Sequence, residues 1–447
     1  MAAPGLGRDF RALWAANSVS TLGDGMVAAA APLLVASVSD DPVLIGLAVF
    51  VQQLPWLLFA LVSGAVIDRL DKRRLIVAVD VSRGLLTGVL TLAVWWGHAS
   101  IPVIYAVAFL LGTCETLAET AASTLVPAVV APELLPSANS RLHGSYFVLN
   151  KFAGRPAGAS LFVLAAALPF GLDAASFLVS ALLVATMRGV RAPAGRPGPD
   201  GPAPADGPGP ARSIRADIRD GLRWLWREPV IRMLTLALCL MNVTLTAGFS
   251  IMVLYARDRL GLGDIGYGFL LAASAVGGIL GALLAPRLQS WFRASVLLRA
   301  GLVVETLTHV GLALAGTAAA AFCVLVAFGV HSSVFAGIET TFRQRRVPEE
   351  LRGRVGSVFM MFAIGGNAVG ALIGGPLVSW RGVAAPFWFS AVAMTAVTAL
   401  CWRPFGRNLP AAAGGAAVGA GEAEATGGAG AGGPAPGTAS GEAYPVP

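Results

Sequence analysis

Three carboxylates lie inside long apolar runs, where an ionisable side chain is costly and is expected to serve a function. Asp24 lies in the run STLGDGM, and Glu115 and Glu119 are four residues apart in GTCETLAET. If the second run is helical, the two glutamates share one face of the helix. Two carboxylates so close together in a low dielectric hold at least one proton near neutral pH. This spacing predicts a proton-binding site, and the alternative for each carboxylate is a structural ion pair with Arg83, Lys151 or Arg155.

Basic side chains also occur within apolar runs. Lys151 and Arg155 lie in the segment NKFAGRPAG, and Asp80 and Arg83 form a D-x-x-R pair in another run. We predict that Asp80 and Arg83 act as a charge pair. For Arg155 three interpretations stay open: it neutralises Glu119, it binds an anionic substrate, or it belongs to a charge pair that only serves packing.

The segment GAVIDRLDKRRLI joins the second and third apolar runs, and it is predicted to act as a gate. Gly64 would allow two helices to pack closely, and Asp68 could face the N-terminus of a helix, which favours a carboxylate by about 0.3–1 kcal/mol. Asp68 could also pair with Arg352 or Arg354. The alternative is a loop whose basic residues only set the orientation in the membrane. The predicted gating residues are Gly64, Asp68, Arg69, Arg73 and Arg74.

The elements that position these residues are predicted to be membrane-spanning helices. Of the 447 residues 56% are hydrophobic and 13% are charged, whereas soluble domains carry about 25% charged residues. The mean hydropathy is +0.72, and the apolar residues form runs of about twenty, the length that crosses a bilayer as a helix. Twelve spans are predicted near residues 11–38, 43–66, 75–97, 101–126, 141–168, 170–188, 230–256, 265–286, 295–315, 317–340, 355–379 and 383–402.

The orientation follows from the arginines and lysines in the loops. They concentrate in the loops after even-numbered spans, as in DKRR at 71–74, whereas the loops after odd-numbered spans hold only Arg257, Arg259 and Arg381. Because basic loops stay on the cytoplasmic side, both termini are predicted to be cytoplasmic.

Composition divides the chain into four predicted parts. Residues 1–189 form an N-terminal half of six helices and residues 229–404 a C-terminal half of six helices. Residues 190–228 form a cytoplasmic linker, disordered from 190 to 211 and followed by a basic amphipathic helix on the membrane surface. Its alternative is a solvated linker helix. Residues 405–447 form a Gly/Ala-rich tail that is predicted to be disordered.

An internal repeat relates the two predicted halves. The segment APELLPSANSRLHGS recurs in shortened form as VPEELRGRVGS, and Glu119-Thr120 recurs as Glu339-Thr340. A repeat in the same order predicts two parallel halves, with the substrate between them near the middle of the membrane. Small residues on the repeated helices should let neighbouring helices approach closely. The equivalent glycines are Gly144, Gly154 and Gly158 in the first half and Gly356, Gly366 and Gly370 in the second.

The gate segment resembles the signature loop of the major facilitator superfamily, which reads roughly G-x-x-x-D-R-x-G-R-R. Asp71 stands where that family usually has glycine. Together with ANSVSTLGDGM, the D-x-x-R pair and ANSRLHGS, it resembles the branch that includes macrolide-efflux proteins and enterobactin-type siderophore exporters. The resemblance covers the spans up to about residue 402. It implies proton-coupled export of a small amphipathic compound, such as a drug, an antibiotic or a siderophore-like molecule, across the inner membrane of a bacterium.

Two other functional classes compete with export. Proton-coupled uptake would use the same carboxylates, whereas a membrane enzyme or receptor would need a catalytic constellation or a folded domain outside the membrane. The sequence contains no P-loop lysine, HExxH or GxSxG motif, and no CxxC pair. We therefore predict a monomer that is not an enzyme, with protons and a small molecule as its partners in the lipid bilayer, and without a cofactor, a metal or nucleic acid. Glu305 and His309 are expected to form only a local pair.

Overall fold

The computed structural model describes residues 6–67, 70–187, 214–348 and 351–408, and the regular elements in these ranges are helices. Helices α1 to α7 pack mainly on one another, and we call them the N-terminal group. Their bounds are Arg8–Val38 (α1), Pro42–Ile67 (α2), Lys72–Trp95 (α3), Ile101–Val129 (α4), Leu135–Ser145 (α5), Arg155–Leu164 (α6) and Leu168–Ala185 (α7), with a 3₁₀ turn at Pro132–Leu134 and a first π-helix at Tyr146–Gly154.

Helices α9 to α15 form the C-terminal group in the same sense, and α8 precedes them. The bounds are Ile214–Arg227 (α8), Pro229–Phe249 (α9), Met252–Leu254 (α10), Asp264–Trp291 (α11), Ala294–Leu314 (α12), Ala318–Arg346 (α13), Arg352–Arg381 (α14) and Ala385–Asn408 (α15), with a second π-helix at Tyr255–Arg259.

Eleven of these helices are long and apolar enough to cross a membrane. The outer surface suits lipid, since large aliphatic side chains such as Leu182 and Val392 are 68% and 71% exposed. Tryptophans stand exposed at helix ends, Trp95 at the end of α3 and Trp380 near the end of α14, as is typical of residues at the membrane–water interface. All-helical architecture and membrane-spanning length agree with the sequence prediction.

The fifth predicted span, 141–168, differs most from the structure. Here the chain is helical from Leu135 to Leu164, but α5 passes into the first π-helix and then into α6. The residues on both sides of each junction keep right-handed helical angles, so the segment continues without a break. A π-helix winds more widely than an α-helix and is common at functional sites. We call residues 135–164 the fifth helix.

Glycines allow neighbouring helices to touch through their backbones. On the fifth helix, a Cβ added at Gly158 would lie 2.1 Å from the Met26 carbonyl oxygen of α1. On α14, a Cβ at Gly370 would lie 2.3 Å from the Val243 carbonyl oxygen of α9. Close helix contacts therefore occur at two of the repeated pairs, Gly154/Gly366 and Gly158/Gly370. The third pair does not show them, since a Cβ at Gly144 would meet nothing within 4 Å.

The two groups touch where α1 turns into α2, which we call the α1–α2 end. Helix α2 packs on α14, and the fifth helix packs on α11. A Cβ at Gly375 would lie 2.4 Å from the Pro42 carbonyl oxygen, and Arg257 pairs with Asp40 at 3.2 Å. The two groups therefore contact each other mainly through two helix pairs, α2 with α14 and the fifth helix with α11.

Helix α8 is amphipathic, and its apolar face packs on protein. Leu225 is fully buried among residues of α9 and α14, and the Trp226 ring stacks on Phe362 with centroids 6.4 Å apart. Arg354 at the start of α14 contacts Asp220 of α8 at 3.8 Å. Part of the face that the sequence assigned to the membrane surface is therefore covered by α14. Residues 188–213 and 409–447, where disorder was predicted, lie outside the described residues.

Candidate functional site

Arg83 is the cation at the centre of the N-terminal group. It lies on α3 with its side chain 10% exposed, and it donates to the Asp24 carboxylate of α1 at 2.8 Å. The guanidinium also stands 4.0 Å from the centroid of the Phe177 ring on α7. The Asp24 side chain is 34% exposed, so the arginine is the buried partner of this ion pair and the carboxylate is only partly shielded.

Asp80 has a different partner from Arg83. Its carboxylate accepts a hydrogen bond from the Ser180 hydroxyl of α7 at 2.7 Å. Among the described residues, the ion pair of Arg83 within 4.0 Å is made with Asp24 rather than with Asp80. The two residues of the predicted pair therefore contact different helices, Arg83 on α1 and Asp80 on α7. Their charges still interact electrostatically.

Asp173 belongs to the same cluster, and the sequence analysis did not single it out. It is 2% exposed on α7, and Gly23 lets α1 approach it, since a Cβ at Gly23 would lie 2.3 Å from the Asp173 Oδ1 atom. The available signal was an aspartate in the apolar segment LPFGLDAASF. Its position four residues after a proline resembled the start of a span, where a carboxylate is unremarkable.

Glu115 and Glu119 extend the cluster on α4. Glu115 is half-buried and Glu119 is exposed. Both interact electrostatically with Arg83 and with Asp24. In the described part of the chain, neither glutamate makes an ion pair within 4.0 Å with Lys151 or Arg155. One arginine is thus shared by several carboxylates, and the acidic groups outnumber the cation.

Lys151 and Arg155 lie on the fifth helix, at and just after the first π-helix. The Lys151 ammonium stands 5.6 Å and 5.3 Å from the ring centroids of Tyr146 and Phe147. Arg155 interacts electrostatically with Tyr146 and with Tyr267 of α11. Aromatic residues from both groups of helices therefore lie near the two basic residues.

Only part of the predicted gate can be described. Asp68 and Arg69 lie outside the described residues, and Gly64 lies within α2. Arg73 donates to the backbone carbonyls of Val184, at 3.2 Å, and Ala185, which anchors the start of α3 to the end of α7. This contact gives Arg73 a structural role at the gate loop.

Asp71, which replaces the glycine usual in the resembled family, caps α3. Its carboxylate accepts from the Arg74 backbone N–H at 2.9 Å, and its φ is −64°. Because this φ is ordinary for any residue, the turn does not require glycine. An aspartate at this position instead satisfies one of the free N–H groups of the first turn.

The C-terminal group contains a buried acidic–histidine cluster. Glu305 is 1% exposed on α12, and its carboxylate lies 2.8 Å from the His331 Nε2 atom of α13 and 3.5 Å from the His309 Nε2 atom. The sequence predicted the contact between Glu305 and His309. It missed His331, because this residue lies on the next helix, α13, and the spacing within α12 does not reveal it.

Glu339 is the repeat equivalent of Glu119, yet its surroundings differ. Arg343 of the same helix donates to the Glu339 carboxylate at 3.0 Å. The position four residues after Glu119 is Ser123, so the first group lacks this intrahelical cation. The repeat conserves the glutamate but not its neutralising partner.

The sequence is similar to one protein family and to two characterised membrane transporters. Residues 2–413 match the family described as transmembrane secretion effector. The multidrug efflux pump Tap of Mycolicibacterium fortuitum is 25% identical over 82% of this chain and 88% of its own length. The enterobactin exporter EntS of Shigella boydii is 24% identical over 82% of this chain and 84% of its own length.

Solved structures share the fold. The nucleoside transporter NupG, in a mutant form, has a TM-score of 0.68 at 11% identity and covers 89% of this chain and 99% of its own. A bacterial homologue of the iron transporter ferroportin covers 90% of this chain and all of its own, with a TM-score of 0.67 at 16% identity in its inward-facing state and 0.58 at 18% identity in its outward-facing state. The family match covers all of the described helices. The chain therefore belongs to the transmembrane secretion effector family, and it is a multi-pass membrane transporter of the major facilitator superfamily.

Proposed function

We propose that this transporter exports a small amphipathic compound in exchange for protons, by alternating access between two halves of six helices each. The single observation that carries the proposal is the surplus of carboxylates around Arg83 within membrane-spanning helices. Asp24, Asp80, Glu115 and Asp173 all interact with this one cation. Burying several negative charges beside one positive charge is costly unless some of them bind protons.

Glu119 is the candidate for the proton that is exchanged, with Glu115 as its neighbour on α4. Glu119 is exposed while Glu115 is half-buried, so Glu119 is the one that water and protons reach more readily. The contrast with Glu339, which Arg343 neutralises, supports a role for Glu119 other than ion pairing. Asp24 is engaged with Arg83 and would then hold the helices together around the exchange site.

Export is the favoured direction because the curated relatives named above are efflux proteins. We also propose that the protein lies in the bacterial inner membrane as a monomer with both termini in the cytoplasm. With that orientation, the contact at the α1–α2 end closes the extracytoplasmic side. The structure would then be inward-facing, in agreement with its greater similarity to the inward-facing homologue.

The orientation can be tested with reporter fusions after Asn408, the last residue of α15. A reporter that is active only in the cytoplasm should work there, and one that needs the periplasm should stay inactive. Periplasmic activity at this position would contradict the even number of spans.

Proton coupling and direction can be tested in proteoliposomes with two fluorescent amphipathic probes, rhodamine 123 and carboxyfluorescein. An acidic lumen should drive accumulation of a transported probe if the coupling is exchange. Accumulation driven instead by an acidic exterior would indicate uptake by symport and would overturn export. Liposomes without protein correct for passive permeation.

The role of Glu119 is tested with Glu119→Gln, whose neutral amide mimics a permanently protonated acid. This variant should lose uphill accumulation but keep exchange of probe between the two sides, which needs no net proton movement. Glu339→Gln is the matched control at the repeat equivalent, and it should keep coupled transport. A Glu119→Gln protein that still concentrates a probe under a pH difference would exclude this assignment and favour Asp24.

A further inference from the structure

We propose that Lys151 and Arg155 form the binding site for an anionic group on the transported compound, whose body is aromatic. This inference rests on the proposed function, because it names the chemical class of the substrate. It starts from the fifth helix, where the two basic residues are four positions apart on the helix. They lie close enough to interact electrostatically as like charges.

Lys151 and Arg155 lack a counter-ion in the described part of the chain. Within the described residues, neither Lys151 nor Arg155 has a carboxylate within 4.0 Å. The Arg155 Nε atom is buried and has no hydrogen-bond partner there. Both side chains are half-buried, and a partly buried cation without a counter-ion is unfavourable, the more so with a second cation close by. An anion bound between them would satisfy both.

The side chains near Lys151 and Arg155 suit an anion that carries an aromatic body. Tyr146 and Tyr267 lie within electrostatic range of Arg155, and Lys151 lies near the rings of Tyr146 and Phe147. Tyrosine hydroxyls donate hydrogen bonds to anions, while aromatic faces stack on flat apolar ligands. An anion that carries an aromatic body therefore fits both parts of the site, and a sugar or an aliphatic cation does not.

The proposed anion site lies where the N-terminal group meets the C-terminal group. Tyr267 comes from α11 of the C-terminal group, and a Cβ added at Gly268 of the same helix would lie 3.0 Å from the Arg155 carbonyl oxygen. Phe147 packs on α11 as well, since a Cβ at Gly278 would lie 3.2 Å from its ring. A ligand held here would contact both groups, so a change in their relative position would change its contacts.

The test measures equilibrium binding of two xanthene dyes to the full-length protein in nanodiscs, by fluorescence anisotropy with empty nanodiscs subtracted. Carboxyfluorescein is the anionic probe, and rhodamine 123 is the cationic probe with a related ring system. Wild type should bind carboxyfluorescein more tightly than rhodamine 123. Arg155→Gln and Lys151→Gln should each weaken carboxyfluorescein binding by about tenfold or more, as expected for a hydrogen bond to a charged group, and should leave rhodamine binding unchanged.

Charge-keeping and distant variants complete the experiment. Arg155→Lys should retain most of the affinity for carboxyfluorescein, Lys151→Glu should reverse the preference towards rhodamine 123, and Arg293→Gln should behave as wild type, because Arg293 is an exposed charge elsewhere. The proposal is overturned if wild type prefers the cation, or if the Gln variants lose both dyes equally, which would indicate a structural role. Because binding is measured without a gradient, protein that binds the anion but fails to transport it would count against export and not against this site.

Discussion

Replacing Arg83 should destabilise the protein far more than replacing its ion-pair partner Asp24. Arg83→Gln leaves several carboxylates without their shared cation, and removing one partner of a buried ion pair costs about 3–5 kcal/mol. Asp24→Asn keeps an oxygen that can accept from Arg83, while Asp80, Glu115 and Asp173 still balance the arginine. The free energy of unfolding should therefore fall only by the difference between a charged and a neutral hydrogen bond, about 1–2 kcal/mol.

The free energy of unfolding can be measured in mixed micelles by titration with SDS, with tryptophan fluorescence as the signal. Arg293→Gln removes an exposed arginine and is the control, with an expected change within about 0.5 kcal/mol. The double variant Asp24→Asn/Arg83→Gln closes the cycle. It should be more stable than Arg83→Gln alone, because one carboxylate fewer is left without its cation.

Equal losses for Arg83→Gln and Asp24→Asn would refute this reasoning. That result would mean that Arg83 serves Asp24 alone, and that the other carboxylates do not share it. A double variant less stable than Arg83→Gln would likewise contradict the surplus of acidic groups on which the proposed function rests.

Three further predictions concern the gate, the helix contacts and the C-terminal group. Asp68→Asn should lower the transport rate about two- to fivefold, which corresponds to the 0.3–1 kcal/mol by which a helix N-terminus favours a carboxylate. The abundance of the variant on immunoblots should stay normal. Normal transport would show that the loop only sets orientation. Gly158→Ala should cost about 1–3 kcal/mol of unfolding free energy by overpacking, whereas Gly88→Ala, with no atom within 4 Å of its new Cβ, should be neutral or slightly stabilising; equal effects would argue against the close contact. Glu305→Gln should cost about 1–3 kcal/mol, because His331 loses a buried charged partner; an unchanged SDS midpoint would show that the cluster adds nothing to stability.

Local patterns in the sequence predicted the helices well, because each apolar run carries its own signal. The bounds of α2, Pro42–Ile67, lie within one residue of the prediction, since polar residues flank the run on both sides. The π-helix in the fifth helix was not predicted, because a change in hydrogen-bond register leaves no mark on hydrophobic spacing. The predicted span also began at residue 141 instead of Leu135, because the first residues of α5, LPSANS, are largely polar.

The candidate site was only partly predictable for a related reason. Asp24, Glu115 and Glu119 could be found because charge is rare in apolar runs. Their partners could not, because the contact of Arg83 with Asp24 and that of Glu305 with His331 join different helices, and the spacing within one helix does not reveal such contacts. Asp173 was missed because its burial depends on Gly23 of another helix, which no pattern within α7 reveals.

The first π-helix breaks the similarity between the two repeats at one place. Gly154 and Gly366 are equivalent in the repeat and both pack on a neighbouring backbone, but the segment before Gly366 is α-helical, whereas the segment before Gly154 winds less per residue. At the same offset, Lys151 and Arg155 correspond to Ala363 and Asn367, which are uncharged. If Lys151 and Arg155 bind the transported compound as proposed, the ligand meets cationic side chains on the fifth helix and neutral ones at the equivalent positions of α14. A ligand with two different ends would be held in one orientation, so that the same end always faces the fifth helix as the transporter moves from one state to the other.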